Sequence, residues 1–231
     1  MPRFLAAQPD TRLITLPWDI PLADWPEENF VALPRGISRH VVRFVRVGNE
    51  VHAFKEVMEH LALHEYELLR DIARLDTPSV EAVGVVTARV DKEGEPLDPM
   101  LITRHLQFSL PYRSLFYRGV RRDTVSRLVD AMVVLLARLH LIGFLWGDVS
   151  LSNTLFRRDA GAFAAYLVDA ETSELHDRLT DGQREHDLTI ARTNLYGEFS
   201  DLEAGGLLDV ALDPLVLVET IESRYRELWG E

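Results

Sequence analysis

The chain has 231 residues, of which 47% are hydrophobic, and its 37 acidic and 25 basic side chains give a formal net charge of −12. This length and hydrophobic content can bury a substantial core and exclude an intrinsically disordered chain, and the acidic balance argues against broad nucleic-acid binding. No apolar run approaches the roughly twenty residues of a membrane span, and the absence of cysteine excludes disulfides and zinc–thiolate sites, so we expect a cytoplasmic protein.

The first elements predicted along the chain are an irregular lead and a β-hairpin. Residues 1–30 contain several prolines and tryptophans and follow no regular period, so we expect an irregular segment there. Residues 41–47 then alternate apolar and basic side chains, residues 48–50 suit a tight turn, and residues 51–55 form the returning run. The pattern predicts two antiparallel strands, the second of which ends at Lys55.

The second strand of this hairpin ends in a candidate phosphate ligand. It reads V-H-A-F-K, which is similar to the V-A-I-K sequence that brings a lysine to the phosphates of ATP in kinases. Lys55 and Lys92 are the only lysines of the chain. Arginine cannot replace a compact ammonium at a tight phosphate site without changing the geometry, so Lys55 is assigned to nucleotide binding, with chance retention as the alternative. Lys92 lies in a polar stretch and is expected to be solvated.

A helix is predicted over residues 59–75, and it offers a carboxylate to Lys55. One face of the helical period carries apolar side chains and a single acid: Leu61, Glu65, Leu68, Leu69 and Ile72. Glu65 is therefore the predicted partner of Lys55, whereas Glu67 falls off this face and should be solvated. The alternative for Glu65 is a position at the edge of the stripe from which its carboxylate reaches water.

The loop that would cover the nucleotide is poor in glycine. Residues 34–40 contain one glycine, Gly36, where kinases have a glycine-rich run. Fewer glycines allow fewer backbone N–H groups to approach phosphates closely. We therefore predict side-chain contacts to phosphate from Arg39, which we assign to nucleotide binding, or from Ser38.

The middle of the chain is predicted to hold two strands and a long helix. Residues 81–89 and 100–105 have strand patterns, the second leading to the hinge where backbone groups would meet adenine, and residues 125–141 form a strongly apolar helix. Its His140 is expected to be a packed or capping histidine. A basic cluster interleaved with aromatic residues precedes this helix and consists of Arg113, Arg118, Arg121 and Arg122. It either binds an anionic substrate or partner or is a solvated patch.

Three polar residues after this helix form the layout of a phosphoryl-transfer site. Asp148 is followed five positions later by Asn153, and a strand pattern over residues 163–168 then ends in Asp169. This spacing matches the kinase catalytic loop from its aspartate onward, followed by the metal-binding aspartate at the end of a strand. A capped turn is the alternative for Asp148 and Asn153, but it leaves Asp169 unexplained.

The residue types suit the chemistry of transfer from Mg-ATP. A carboxylate must orient and deprotonate the attacking hydroxyl, and hard oxygen ligands must hold Mg²⁺. Asp148 is the predicted catalytic base, and Asn153 and Asp169 are the predicted metal ligands. The cofactors expected are therefore ATP and Mg²⁺.

With these motifs in place, the chain resembles a known group. It is similar to an uncharacterised bacterial kinase-like family related to lipopolysaccharide core (Kdo/heptose) kinases and, more distantly, to aminoglycoside phosphotransferases and RIO kinases. The resemblance covers nearly the whole chain. It rests on Lys55, Glu65-Tyr66, Thr103-Arg104-His105, Trp146-Gly147-Asp148, Asp169-Ala170-Glu171 and Glu185-His186-Asp187-Leu188.

The resemblance implies a fold. It is an α+β, bilobal, protein-kinase-like fold in which residues 1–107 form a small antiparallel-sheet lobe with one helix and residues 108–231 form a mainly helical lobe. It also implies that Asp187 supports the catalytic loop by accepting hydrogen bonds from its backbone, although a plain carboxylate near a helix start is the alternative. Family members commonly extend beyond the position of Glu231.

The departures from protein kinases shape the functional prediction. Trp146-Gly147 replaces the usual His-Arg before the catalytic acid, and Asp169-Ala170-Glu171 replaces Asp-Phe-Gly, so that Glu171 either adds a metal ligand or caps the next segment. A helical pattern resumes by about Arg184, which leaves no room for a long activation segment or the peptide docking that it provides.

Two functions remain open from the sequence. The first is an ATP-dependent phosphotransferase that acts on a hydroxyl of a small molecule, lipid or carbohydrate. The alternative is a pseudokinase or nucleotide-sensing module, motivated by the glycine-poor loop and the altered Asp169-Ala170-Glu171. An amphipathic helix predicted over Pro214–Trp229 either closes the second lobe or offers a surface to a protein partner.

Overall fold

The computed structural model describes residues 1–7, 10–34, 38–117, 120–159 and 161–230. These residues form two compact units. Unit 1 comprises described residues up to 33, 38–73 and 80–107. Unit 2 comprises Pro34, the short link 74–79 and the described residues from 108 onward.

Unit 1 is built on an antiparallel sheet. Five strands occur in the spatial order β1-β4-β7-β3-β2, every neighbouring pair is antiparallel, and β5 pairs with β6 as a separate ribbon. The elements are β1 Arg3–Ala6, β2 Val42–Val47, β3 Glu50–Glu56, α1 Glu59–Arg74, β4 Glu81–Thr87, β5 Arg89–Val90, β6 Pro96–Leu97 and β7 Met100–Arg104.

The two faces of this sheet bury different partners. Because side chains alternate along a strand, Phe54 and Ile102 lie on the face covered by the N-terminal segment, where Trp18 and Trp25 pack. Leu101 lies on the opposite face and packs with residues of α1 such as Ala62 and Tyr66. Strand alternation therefore turns Lys55, which follows Phe54, towards the α1 face.

A buried arginine fastens the N-terminal segment to the sheet. The side chain of Arg89 donates to the backbone carbonyls of Trp18, Ile20 and Asp98 and pairs with Glu56 at 2.9 Å. Arg89 is 1% exposed, so its donors are satisfied within the protein.

The structure corrects the predicted elements at two points. The lead is not wholly irregular, because β1 pairs with β4 as a largely exposed edge strand. The strand predicted to Arg89 ends at Thr87, since Ala88 has a left-handed backbone with φ of +52°. The helix expected by about Arg184 begins at Asp181, where Thr180 and Gln183 form a capping box.

Unit 2 is mainly helical. A three-stranded antiparallel sheet has the order β11-β10-β8, and β9 pairs with β12. The elements are β8 Ser109–Pro111, α2 Tyr112–Phe116, α3 Arg122–Leu141, β9 Phe144–Leu145, β10 Thr154–Asp159, β11 Ala162–Leu167, β12 Glu174–Leu175, α4 Asp181–Ala204 and α5 Pro214–Trp229.

The helices of unit 2 bury the apolar faces that the sequence predicts. Helix α5 packs against α3 and α4 through a stripe that includes Val218, Ile221 and Tyr225, all at most 3% exposed. Leu215 and Leu228 at its ends are exposed. The helix therefore closes unit 2, with part of its apolar surface left at the outside.

The predicted α+β class is confirmed, with an antiparallel sheet in unit 1 and a mainly helical unit 2. Within the described ranges, no helix is both long enough and apolar enough to cross a membrane.

Candidate active site

In unit 1, the structure brings together the lysine and the glutamate that the sequence pairs. Lys55 near the end of β3 and Glu65 in the second turn of α1 form an ion pair of 2.7 Å between Nζ and Oε2. Both are buried, at 8% and 1% exposure, and Glu67 is exposed as expected. A buried charge needs a nearby counter-charge, so this pair fixes the lysine ammonium at one place on the sheet.

The other nucleotide-binding prediction in unit 1 rests on an exposed side chain. Arg39 lies in a bend at the surface, and the neighbouring Ser38 Oγ accepts a hydrogen bond from the backbone of His40 at 3.1 Å. Gly36 lies outside the described residues. The assignment of Arg39 to phosphate therefore stays a prediction.

In unit 2, the loop between β9 and β10 holds Asp148 and Asn153 against each other. The Asn153 amide, Nδ2, donates to Asp148 Oδ2 at 2.9 Å and to the Asp148 backbone carbonyl at 3.0 Å. Both side chains are half-buried. Because Nδ2 points to Asp148, the Oδ1 atom is the part of this amide suited to a hard cation.

A residue that the sequence analysis missed also contacts Asp148. Asn194 of α4 donates from Nδ2 to Asp148 Oδ1 at 3.0 Å and to the backbone carbonyl of Val149 at 3.2 Å. The two oxygens of the Asp148 carboxylate thus accept from two different amides.

Asp187 holds the start of the same loop. Its carboxylate accepts hydrogen bonds from the backbone N–H groups of Trp146 at 2.7 Å and Gly147 at 2.8 Å, the geometry that the resemblance implies. It is 0% exposed and also contacts His140 Nε2 at 3.1 Å, while His140 Nδ1 lies 2.7 Å from the Tyr225 hydroxyl. His140 is thus a packed histidine, and it connects the loop anchor to α5.

Glu198, which the sequence analysis also missed, holds the end of the loop. Its carboxylate accepts from the backbone N–H groups of Leu151 and Ser152 at 2.7 and 2.8 Å and from Ser152 Oγ at 2.5 Å. Burial raises the pKa of Glu198 above its ordinary value, and the nearby charge of Asp148 acts in the same direction, whereas these hydrogen bonds lower it.

One face of α4 therefore supports the whole loop. Positions 187, 194 and 198 have spacings of i, i+7 and i+11, which lie on the same side of an α-helix, as does the buried Ala191 between them. The sequence shows this spacing, but the spacing indicates contacts with the loop only when α4 is known to lie beside the loop.

Asp169 is placed beside Asn153 by strand register. Thr154 of β10 pairs with Leu167 of β11, and the Val168 N–H donates to the Asn153 carbonyl at 3.1 Å. The residues that precede β10 and follow β11 therefore lie at one edge of this sheet. Asp169 is half-buried, and its Oδ1 accepts from the Glu171 N–H at 3.0 Å. An amide oxygen and a carboxylate at one edge fit the oxygen ligands that Mg²⁺ requires.

Gly147 allows the segment after Asp169 to approach the loop. It has φ of +76°, and a Cβ atom there would lie 2.6 Å from the carbonyl oxygen of Thr172. Ser173 completes this contact, since its Oγ donates to the Trp146 carbonyl at 2.7 Å. A glycine is required at position 147 both by its backbone conformation and by this close approach.

The basic cluster is mostly solvent-facing. Arg113 pairs with Asp201 at 3.4 Å, Arg122 donates to the Ala211 carbonyl, and the Arg121 side chain is 89% exposed. Arg118 lies outside the described residues. These contacts favour the solvated patch over a built anion site.

A comparison with solved structures places this geometry in a known fold. A structure of WaaP in complex with acyl carrier protein matches the chain with a TM-score of 0.52 and 14% sequence identity, over 98% of this chain and 99% of the WaaP chain. WaaP is a lipopolysaccharide core heptose kinase. This chain has a protein-kinase-like fold. No protein-family model matches the sequence, and no curated protein matches it significantly.

The residues predicted to form the site are divided between the two units. The lysine–glutamate pair lies in the sheet unit, and the Asp–Asn loop and the strand-end aspartate lie in the helical unit. At 14% identity the likeness concerns the fold, and the roles of the individual residues stay predictions.

Proposed function

We propose that the protein is an ATP-dependent phosphotransferase that transfers the γ-phosphate to a hydroxyl of a small-molecule, lipid or carbohydrate acceptor. The observation that carries the proposal is the loop of residues 146–153. Its Asp148 and Asn153 are hydrogen-bonded to each other, and its backbone is anchored by the buried Asp187. A capped turn alone does not require this buried anchor.

Each residue has a defined task in this proposal. Asp148 orients the acceptor hydroxyl and takes its proton as the new P–O bond forms and the bond to ADP breaks. Asn153, through Oδ1, and Asp169 would hold Mg²⁺, which neutralises phosphate charge when bound. Lys55 binds phosphate oxygens and Glu65 keeps its ammonium in place, while Arg39 adds a side-chain contact from the surface.

The short connection after Asp169 favours a small acceptor over a peptide. Only β12 and its flanking turns lie between Asp169 and the start of α4 at Asp181, so a long peptide-docking segment is absent from this described stretch. The fold shared with a heptose kinase supports a carbohydrate or lipid hydroxyl.

A protein partner in the cytoplasm is part of the same proposal. The matched WaaP structure is a complex with acyl carrier protein. In this chain the C-terminal helix α5 keeps Leu215 and Leu228 exposed, which gives a partner an apolar contact at the surface of unit 2.

Thermal unfolding tests the nucleotide and metal part of the proposal. Melting is measured with no ligand, with ATP, and with ATP plus Mg²⁺, for the natural protein and for Asp169→Asn. Ligand at about a hundredfold over its dissociation constant stabilises a fold by about 2.7 kcal/mol, which shifts the melting temperature by several degrees. We expect a Mg²⁺-dependent shift that Asp169→Asn loses and that the exposed control Asp177→Asn keeps.

The outcomes separate the two functions. A Mg²⁺-dependent shift together with ADP release supports the phosphotransferase. Nucleotide binding with no release or transfer of phosphate to any hydroxyl acceptor would identify a nucleotide-sensing pseudokinase. No shift under any condition would refute the phosphotransferase and leave a kinase-shaped binding protein.

A further inference from the structure

The reactive carboxylate of the proposed site is clamped from two sides. Asn153, in the same loop, donates to Asp148 Oδ2 at 2.9 Å, and Asn194, on α4, donates to Asp148 Oδ1 at 3.0 Å. The Asn194 amide is itself held in place by the Val149 carbonyl at 3.2 Å. One clamp is local to the loop, and the other comes from a helix 46 residues further along the chain.

Asn194 differs from the other two residues that α4 directs at this loop. Asp187 binds the backbone of Trp146 and Gly147, and Glu198 binds the backbone of Leu151 and Ser152 and the Ser152 hydroxyl. Those contacts already anchor both ends of the loop to the helix. The contact of Asn194 reaches the side chain of Asp148, which a role in anchoring the backbone does not require.

An amide has physical properties that suit this position. The terminal torsion of aspartate is soft, so an unrestrained carboxylate samples many orientations relative to an acceptor. Donors at both oxygens fix the plane of the carboxylate and leave its remaining lone pairs in a set direction. A neutral amide does this without placing a cation beside the base, which would reduce its tendency to take a proton.

We infer that Asn194 is a positioning residue: its amide fixes the Asp148 carboxylate in the orientation in which that carboxylate receives the proton of the acceptor. The inference rests on the proposed phosphotransferase function. It adds a residue outside the Asp148-to-Asn153 loop and assigns α4 a part in the reaction as well as in holding the fold.

Steady-state kinetics of two substitutions test the inference. Asn194→Leu keeps the approximate volume and removes the donor, and Asn194→Asp keeps the shape and offers acceptors only. ADP release from Mg-ATP, with water as the acceptor, is measured over a range of ATP concentrations. Both variants should lower kcat by about 10- to 100-fold, the loss expected when a reacting group is misplaced, with KM for ATP and the Mg-ATP thermal shift unchanged.

A neighbouring residue supplies the control. Thr193 is exposed and its hydroxyl donates to the Thr189 carbonyl, away from the loop. Thr193→Ala should keep the natural kcat. Natural values of kcat in both Asn194 variants would overturn the inference, as would a fall in kcat that is matched by loss of the folded state in both.

A second measurement does not depend on turnover. The chain has four asparagines, Asn29, Asn49, Asn153 and Asn194, so selective ¹⁵N labelling of asparagine gives a spectrum simple enough to assign. The side-chain amide signal of Asn194 should shift in Asp148→Ala, and those of Asn29 and Asn49 should not. An Asn194 signal that ignores this substitution would overturn the inference.

The two measurements keep the inference separable from the function on which it rests. If the natural protein releases no ADP and binds no Mg-ATP, the proposed function fails. The amide signal then still decides whether Asn194 holds the Asp148 carboxylate.

Discussion

The two units secure their polar residues by different means. In unit 1, Lys55 is buried against the carboxylate of Glu65, so one side chain meets another across a strand and a helix. In unit 2, backbone N–H groups of the loop bind carboxylates of α4 that lie 40 to 47 residues further along the chain. A single substitution can therefore remove the ion pair of unit 1. In unit 2, the loop is held by hydrogen bonds to more than one residue of α4, so that no single substitution removes all of them.

The largest effect on kcat should come from Asp148, because the residues of α4 that hold the loop cannot replace it as a base. Asp148→Asn removes the proposed base and leaves the α4 anchors in place. General-base catalysis typically contributes 10²- to 10⁴-fold, so kcat should fall by about that factor, with the affinity for Mg-ATP nearly unchanged. ADP release and nucleotide titration measure the two quantities separately.

An exposed aspartate provides the control for this substitution. Asp177→Asn makes the same chemical change in a surface turn of unit 2 and should leave kcat unchanged. Natural turnover in Asp148→Asn would remove Asp148 from the reaction.

The next largest effect tests the dependence of unit 1 on its ion pair. Glu65→Leu leaves the Lys55 ammonium buried without this carboxylate, which should lower the free energy of unfolding by about 3–5 kcal/mol. Combining it with Lys55→Met removes both charges, and the double variant should recover most of that loss. Chemical unfolding of the single and double variants measures the coupling.

An exposed pair in unit 2 makes the comparison quantitative. Arg226 pairs with Glu185 at 2.8 Å and with Glu222 at 3.1 Å, and the three side chains are 35%, 49% and 27% exposed, respectively. Arg226→Met should cost at most about 1 kcal/mol because solvent screens the charges. If Glu65→Leu and Arg226→Met lower the free energy of unfolding equally, the stability of unit 1 does not depend specially on its buried ion pair.

The third prediction concerns the close approach at Gly147. Gly147→Ala forces a Cβ atom to 2.6 Å from the Thr172 carbonyl and places alanine at φ of +76°. Left-handed backbone costs a non-glycine residue about 1–2 kcal/mol, and relief of the contact must add to that by shifting the loop or the segment after Asp169. Both stability and kcat should therefore fall.

Gly161 isolates the contact from the backbone strain. It has φ of +88°, and a Cβ atom there would meet nothing within 4 Å. Gly161→Ala should thus show the backbone cost alone and leave kcat unchanged. If the two substitutions behave alike, the approach of Thr172 does not constrain the loop.

Local patterns explain how much of this architecture the sequence could predict. The hairpin ending at Lys55, the helix that carries Glu65 and the strands around Asn153 and Asp169 follow from periods and spacings within a few residues of each other. The V-H-A-F-K motif at the end of the hairpin and one helical stripe were enough to pair Lys55 with Glu65, because the strand and the helix are consecutive in the chain.

Long-range contacts explain what the sequence did not predict. Asn194 and Glu198 resemble ordinary helix-surface polar residues until the fold brings α4 to the loop. Arg89 was predicted only as the end of a strand, yet its side chain is buried and donates to carbonyls of the N-terminal segment about seventy residues earlier. Strand β1 was missed because it is an exposed edge strand and lacks the alternation that marks a half-buried strand.

The smallest effect tests the distributed anchoring of unit 2 through Glu198. Because burial raises its pKa above the ordinary value of 4.5, the native protein binds more protons than the unfolded chain between the two values. The contribution of Glu198 to stability is therefore greatest below the ordinary value and falls as the pH rises through the raised one. Glutamine does not titrate, so the stability of Glu198→Gln relative to the natural protein should increase over the same interval.

Urea unfolding of both proteins at several pH values checks the direction of this change. Subtracting one free energy of unfolding from the other removes the contributions of titrating groups that both proteins share. Asp10 and Glu185 have lowered pKa values, set mainly by hydrogen bonds from Arg12 and Arg226, and they destabilise both proteins on acidification. If the stability of Glu198→Gln relative to the natural protein instead decreases as the pH rises, the hydrogen bonds to the Glu198 carboxylate outweigh the effect of its burial. The charged carboxylate of Glu198 would then hold the end of the loop, much as the charged carboxylate of Glu65 holds Lys55 in unit 1.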